Sequence, residues 1–328
     1  MTESAEMQQQ EAPIPSNGTA GGMASAIHDL HRVTAGLLSQ PGAYAPWPER
    51  LQALAQRLQV MRKQSADALM YLLFQAAGRM QDKYSSHHAL VCATLVAECA
   101  QQMAWPEEEL HSLTLAALSM NLSITSLQDE LVHRERTPTL DQRTAIDQHA
   151  RASADILAAI GVTDSLWLGV VAQHHQELTP EQREQGLDAP QRLAELLHRV
   201  DVYAAKLSPR RARRGQLPTL AVRGAYLGAG NKPDAIGIAL TKAVGIFPLA
   251  SFVTLGNGET AIVLKRGVRP SQPWVASLIG ADKQALAEPL LRDSSDPGFA
   301  IRAPAPADSV RLALDHERLL GLIPVTPG

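Results

Sequence analysis

Aromatic residues are scarce: four Phe, four Trp and five Tyr make up 4% of 328 residues. With so few stacking side chains, and none interleaved with basic runs, the chain lacks the signature of a nucleic-acid binder. Cysteine is scarcer still. Cys92 and Cys99 are the only two, which excludes a disulfide scaffold and fits a reducing, cytoplasmic setting. An excess of one charge sign is missing as well. Thirty Lys and Arg against 33 Asp and Glu give a formal net charge of -3, too near zero to imply nucleic acid or an acidic membrane as partner. No apolar run reaches the ~18 residues needed to span a bilayer. Residues 1–22, MTESAEMQQQEAPIPSNGTAGG, hold no apolar signal core, so secretion is not expected. A glycine-rich phosphate loop and internal repeats are also absent.

The chain is 45% hydrophobic and 19% charged, an ordinary globular balance with enough apolar material for about two domains. Residues 1–22 are too polar to offset ordering entropy and read as a disordered tail. From Ala24 the chain is rich in Ala, Leu, Gln and Arg, good helix formers. Helical patterns run at about 24–39, 48–62, 64–82, 86–103, 107–122, 140–160, 164–176, 190–207 and 234–246. Pro41-Gly42, Trp47-Pro48, Trp105-Pro106, Thr137-Pro138, Gly161 and Thr179-Pro180 separate them. Phe247–Val263 then places two β-branched runs around Gly256-Asn257-Gly258, a hairpin signal, and Trp274-Val275 suits a short third strand. The expected organisation is an N-terminal helical region at 23–82, a main domain at 83–283 with a β-appendage at about 247–279, and a Pro-rich tail at 284–328 with a short amphipathic segment at Val310–Leu320.

Polar residues on apolar helical faces carry the chemistry. The stripe Ile146, His149, Ala150, Ser153, Ile156, Leu157, Ile160 follows the 3.6 period and puts His149 on the buried side. His174 and His175 continue the apolar face of Trp167, Val170 and Val171. Asp201 falls mid-stripe between Val200 and Ala204, and His87 begins the stripe of Val91, Thr94 and Leu95. A buried lone carboxylate costs several kcal/mol unless it is paired or holds a metal. His with carboxylate suits iron, manganese or zinc. Any one histidine taken singly reads rather as a satisfied core polar group; it is His174 and His175 together with Asp201 and His149 that point to a shared site.

These landmarks, in this order, resemble the HD-GYP branch of the HD-domain phosphohydrolases over roughly Tyr84 to Ile279. Tyr84-Ser85-Ser86-His87 with Val91 is similar to the family's YSxxHxxxV. Ile146-Asp147-Gln148-His149 resembles the helix of its isolated histidine, and Val171-Ala172-Gln173-His174-His175 its paired histidines. Arg199-Val200-Asp201-Val202-Tyr203 with Ala205, Ser208 and Arg210 resembles the R-x-D-x-Y-x-A segment and following arginine. Phe247-Pro248 through Val263 resembles the closing strand, turn and strand. The resemblance implies a mostly α, HD-domain-like helical bundle with a small C-terminal β-hairpin appendage. In active members such ligands hold two or three metals, and a metal-activated water attacks a phosphodiester, typically of cyclic di-GMP.

The chain departs from that pattern at its centre. The family's HDxGK falls on Met120-Asn121-Leu122-Ser123-Ile124, so Met120 replaces the histidine, Asn121 the bridging aspartate and Ile124 the lysine. A neutral amide brings no charge to bridge two cations, and a thioether is a soft ligand. Lys83 stands four residues before His87, where a trinuclear member carries glutamate; a cation there repels a metal. Gln176 through Gly186 contain no GYP loop, and Ala204 replaces the second aspartate of the DxYDA segment. The remaining set of His87, His149, His174, His175 and Asp201 suits one divalent iron, manganese or zinc ion, or stands without one. The expectation is a catalytically degenerate signalling or regulatory module without ordinary cyclic-di-GMP phosphodiesterase activity. It would bind a nucleotide such as cyclic di-GMP, a metal or a protein partner, with Arg210 and Arg211 as candidate phosphate contacts. The alternative is a metal-dependent phosphohydrolase with a remodelled, mononuclear site, in which Glu177 is a candidate base. A third reading is a scaffold with structural histidines.

Overall fold

Every residue from Tyr84 to Ala100 is buried. A helix covered on all sides is the centre of a bundle, and this one is built of small residues, SSHHALVCATLVAECA, that let neighbours approach closely. The computed structural model describes residues 20–77, 81–208, 218–228 and 232–323. Its helices are α1 (Ala20–Ser39), α2 (Trp47–Ala76), α3 (Tyr84–Gln102), α4 (Glu107–Ser119), α5 (Thr125–Val132), α6 (Leu140–Ala159), α7 (Ser165–Gln173), α8 (Pro180–Gln185), α9 (Ala189–Leu207), α10 (Pro218–Tyr226), α11 (Ala235–Val244) and α12 (His316–Gly321). Around α3 stand α1, α2, α4, α5, α9 and α11, while α6 and α9 pack on α7. None of the described helices is long and apolar enough to cross a membrane.

Local chemistry sets the helix starts. Thr139 and Asp188 each form a capping box with the glutamine three residues on, opening α6 and α9, and the Asp164 carboxylate accepts from the Leu166 and Trp167 amides to open α7. The break expected between 62 and 64 is a kink in α2, where Ser65 leaves helical geometry at φ -162°, ψ 96°. The N-terminal helices share the central core. Trp47 stacks on Trp167 with ring centroids 6.4 Å apart, and its indole donates to the Leu37 carbonyl at 3.0 Å. The short helices α5, α8 and α10 were not expected from periodicity; each spans too few turns for a stripe to register.

Five antiparallel strands follow: β1 (Phe252–Leu255), β2 (Thr260–Lys265), β3 (Trp274–Ile279), β4 (Ala285–Asp293) and β5 (Ile301–Ala305), in the order β4-β3-β2-β1-β5. The expected hairpin is β1–β2, turning at Gly258 with φ +88°, and the third strand is β3. Within the expected tail at 284–328, the described residues 284–323 differ from that reading, for β4 and β5 complete the sheet, while 324–328 lie outside the described residues. Pro289 and Pro304 obscured them, yet both lie on edge strands, where a missing N–H is tolerated. The short C-terminal helix is α12; its Leu319 and Leu320 are buried and it packs on α1.

Arg266, just after β2, ties sheet to bundle. Its guanidinium meets Asp67 of α2, and its Nη1 donates to Glu98 Oε2 of α3 (2.7 Å) and to the Ala243 carbonyl (2.9 Å). Arg62 Nη1 donates to the other oxygen of Glu98 at 2.7 Å. One buried carboxylate thus serves two guanidiniums, and removing it strands buried charge. Glu98→Gln is expected to destabilise by roughly 3 kcal/mol, read as a lowered midpoint in urea. Within the sheet, burial works to raise the Glu259 carboxyl. Hydrogen bonds from Arg292 and Ser277 outweigh it and hold the pKa down at about 2. That stabilisation is present above the ordinary value of 4.5 and is lost as pH falls toward 2. In Glu259→Gln the melting temperature should therefore fall less steeply than in the parent over that acid range.

Candidate metal centre

Three helices deliver four of the expected residues to one place. His149 lies on α6, His174 and His175 close α7, and Asp201 lies on α9. His149 Nδ1 is 2.5 Å from the Ile146 carbonyl and His174 Nδ1 is 2.7 Å from that of Val171. A carbonyl only accepts, so each Nδ1 carries a proton and donates it, which turns each Nε2 toward the cluster. The two Nε2 atoms face each other at 3.1 Å. Two nitrogens this close need a proton or a metal cation between them, and a histidine with its far nitrogen held by a carbonyl is the usual oriented metal ligand. The His175 ring is 4.8 Å from that of His149 and 4.3 Å from that of His174. Ligand atoms of all three lie within 4.8 Å of one another.

Burial, then neighbouring His175 and His149, push His174 down to about 3, against the pull of Asp201. Burial likewise pushes His175 down to about 4, with Asp201 opposing and His149 and His198 assisting. Both imidazoles are neutral at neutral pH, the form that binds a metal. Asp201 behaves oppositely. Burial alone would raise its carboxyl, but the hydrogen bond and charge of His88 with the nearby His174 and His175 hold it well below the usual range. Its Oδ1 meets His88 Nε2 at 2.7 Å and its Oδ2 lies 3.6 Å from His175 Nε2.

The structure brings His88, not His87, to Asp201. His87 was favoured because Val91 follows it by four, but counted from Tyr84-Ser85 the YSxxH spacing falls on His88, the position of α3 that faces α9. His87 points elsewhere. It is buried with neither ring nitrogen hydrogen-bonded, beside His31 at 6.2 Å, lining a small cavity with Phe74, Val91 and Leu249. The residue four before the site histidine is thus Tyr84, whose Oη lies 3.4 Å from His88 Nδ1, while Lys83 is exposed. Sequence reasoning also missed Cys92, which with His88 and Asp201 forms a second group of ligand atoms within 4.8 Å, and His198, whose Nδ1 is 3.1 Å from that of His175. The signal was there: Cys92 is four after His88, and His198 three before Asp201, each on one helix face. Burial and the Asp201 charge push the Cys92 thiol well above its ordinary value, so without a cation it stays protonated.

Met120 and Ile124 are buried apolar side chains and Asn121 is half-buried. Their segment packs on α6, with Ser123 Oγ donating to the His149 carbonyl at 3.1 Å. Arg199 does not face a ligand. It pairs through both Nη atoms with Asp234, the cap of α11, at 2.5 and 2.8 Å. Arg210 and Arg211 lie outside the described residues. A cleft of about 1240 Å³ opens beside the histidines, lined among others by His175, Glu177, His198, Lys206 and Lys232.

No family model matches the sequence. The chain is 24% identical over 190 residues to the cyclic di-GMP phosphodiesterase PA4108 of Pseudomonas aeruginosa, covering 57% of this chain and 46% of that protein. It therefore spans about half the length of the curated relative it matches. Among solved structures it is similar to Bd1817, a HDG"Y"P protein from Bdellovibrio bacteriovorus, with a TM-score of 0.53 and 15% identity over 70% of this chain and 73% of that one. The fold is HD-domain-like and mostly helical, with a small antiparallel sheet near the C-terminus.

The two adjacent histidines should part in mutation. A buried ring with no hydrogen-bond partner is costly, and an apolar replacement removes the penalty. His87→Leu is expected to stabilise the fold by roughly 1 kcal/mol and leave metal content unchanged. His88→Ala removes the partner of Asp201 and is expected to lower both. Denaturant titration with elemental analysis checks the pair.

Proposed function

We propose that this chain is an HD-GYP-like regulatory module that holds a divalent transition metal and does not hydrolyse cyclic di-GMP in the ordinary two-metal way. The supporting observation is a convergent histidine cluster beside a segment, Met120 to Ile124, that offers no anionic ligand. His149, His174, His175 and Asp201 would hold the ion. Iron, manganese or zinc all accept neutral imidazole and carboxylate. When bound, such an ion supplies Lewis acidity toward a phosphate oxygen.

The protein's own part is to orient. The Ile146 and Val171 carbonyls hold the His149 and His174 rings with Nε2 inward. Asp201 stays ionised and brings the one negative charge. Asn121, where a bridging aspartate would stand, adds none, so the histidine cluster and Asp201 by themselves carry charge enough for one divalent ion and not two. The cleft carries Lys206 and Lys232 beside His175, cations suited to the phosphates of a dinucleotide such as cyclic di-GMP. That cleft also favours a second reading, a phosphohydrolase with a remodelled site, in which the ion faces a bound phosphate and exposed Glu177 serves as base.

Anaerobically purified protein should contain transition metal, lost in His174→Ala/His175→Ala. It should bind cyclic di-GMP while leaving it intact, with hydrolysis followed by chromatography remaining at background. Met120→His/Asn121→Asp should raise turnover above the parent. Metal-dependent hydrolysis by the parent would overturn the regulatory reading in favour of the phosphohydrolase, and a metal-free parent would overturn both.

A further inference from the structure

The three-histidine group leaves one carboxylate oxygen of Asp201 turned the other way, toward α3. There His88 and Cys92 lie one helical turn apart, with Cys92 Sγ 3.5 Å from His88 Nε2 and Asp201 Oδ1 2.7 Å from the same nitrogen. Both α3 side chains are buried, His88 at 1% exposure and Cys92 at 0%. Three ligand types therefore converge on one point, and Asp201 joins that point to His175 through its other oxygen.

We propose that His88, Cys92 and Asp201 form a second, thiolate-bearing metal position, with Asp201 bridging it to the ion held by His149, His174 and His175. The inference rests on the reading that the histidine cluster holds a metal, and Cys92 is its new element. Charge supports it. The negative charge missing at Asn121 is supplied from α3 by a cysteine sulfur, because a thiol loses its proton when it takes a cation. Binding releases that one proton from Cys92. It also moves the His88 proton from Nε2 to Nδ1, where Tyr84 Oη stands at 3.4 Å to accept it. No electron is transferred. A set of thiolate, imidazole and carboxylate selects zinc or another thiophilic divalent ion over magnesium or calcium. It also makes the metal a weaker Lewis acid than an all-oxygen and nitrogen site would, because sulfur donates more charge. That is consistent with a site that holds metal in place and is slow to hydrolyse.

The test uses the full chain, reduced, stripped and reloaded with cobalt(II). The expected result is about two ions per chain with a near-ultraviolet sulfur-to-cobalt charge-transfer band. Cys92→Ser should abolish the band and halve the cobalt while retaining the visible bands of the histidine-held ion. Cys99→Ser, its thiol buried farther along α3, should leave both unchanged. A parent that binds cobalt without the band, or a band that survives Cys92→Ser, overturns the thiolate position and leaves the histidine site standing. A parent that binds no cobalt overturns both. The band is read on the parent itself, so the result stands even where a variant fails to fold.

Discussion

A helix buried along nearly its whole length must have each of its polar groups answered by a neighbour, and α3 imposes that demand on everything packed around it. Thr94 is met by its own helix at the Leu90 carbonyl. Glu98 is met from two directions, by Arg62 of α2 and Arg266 beyond β2. His88 is met by Asp201 of α9. These answers fix how α2, α9 and the sheet sit on α3, since a buried charge without its partner costs far more than a poorly packed methyl group. His87 is the exception, with neither ring nitrogen bonded.

The site is a second consequence of the same geometry. α3 and α9 bring His88 and Asp201 together inside the core, and α6 and α7 close on them with three histidines. Two carbonyls aim the imidazoles and neutral histidines crowd one another, while the carboxylate is kept ionised by the groups that surround it. None of these contacts involves the side chain of Met120 or Asn121.

Much of this was legible in the sequence. Long helices with clear stripes were placed to within a few residues, and His149, His174, His175 and Asp201 stood out as polar residues on apolar faces. What escaped had physical reasons. Two adjacent histidines cannot both face α9; the stripe of Val91, Thr94 and Leu95 pointed to His87 because α3 is buried on every side and its phase is not set by exposure, whereas the YSxxH spacing from Tyr84 falls on His88. Cys92 entered the sequence reading only with Cys99, against a disulfide scaffold, and a buried cysteine is usually a small core residue. Strands β4 and β5 are edge strands with exposed faces and internal prolines, so neither alternation nor composition marked them.

Arg266 also bears on where the molecule could be cut. The residues before β1 look like a self-sufficient helical bundle, and the sheet like something attached to its end. Yet Asp67 and Glu98, on the second and third helices, share a guanidinium that the chain supplies only after its second strand. A fragment ending before Phe252 would leave both carboxylates beside the centre of the bundle, with Arg62 alone to offset them. The sheet is in that sense an internal counterion for the helices, and the folding unit runs across the boundary that secondary structure alone would draw.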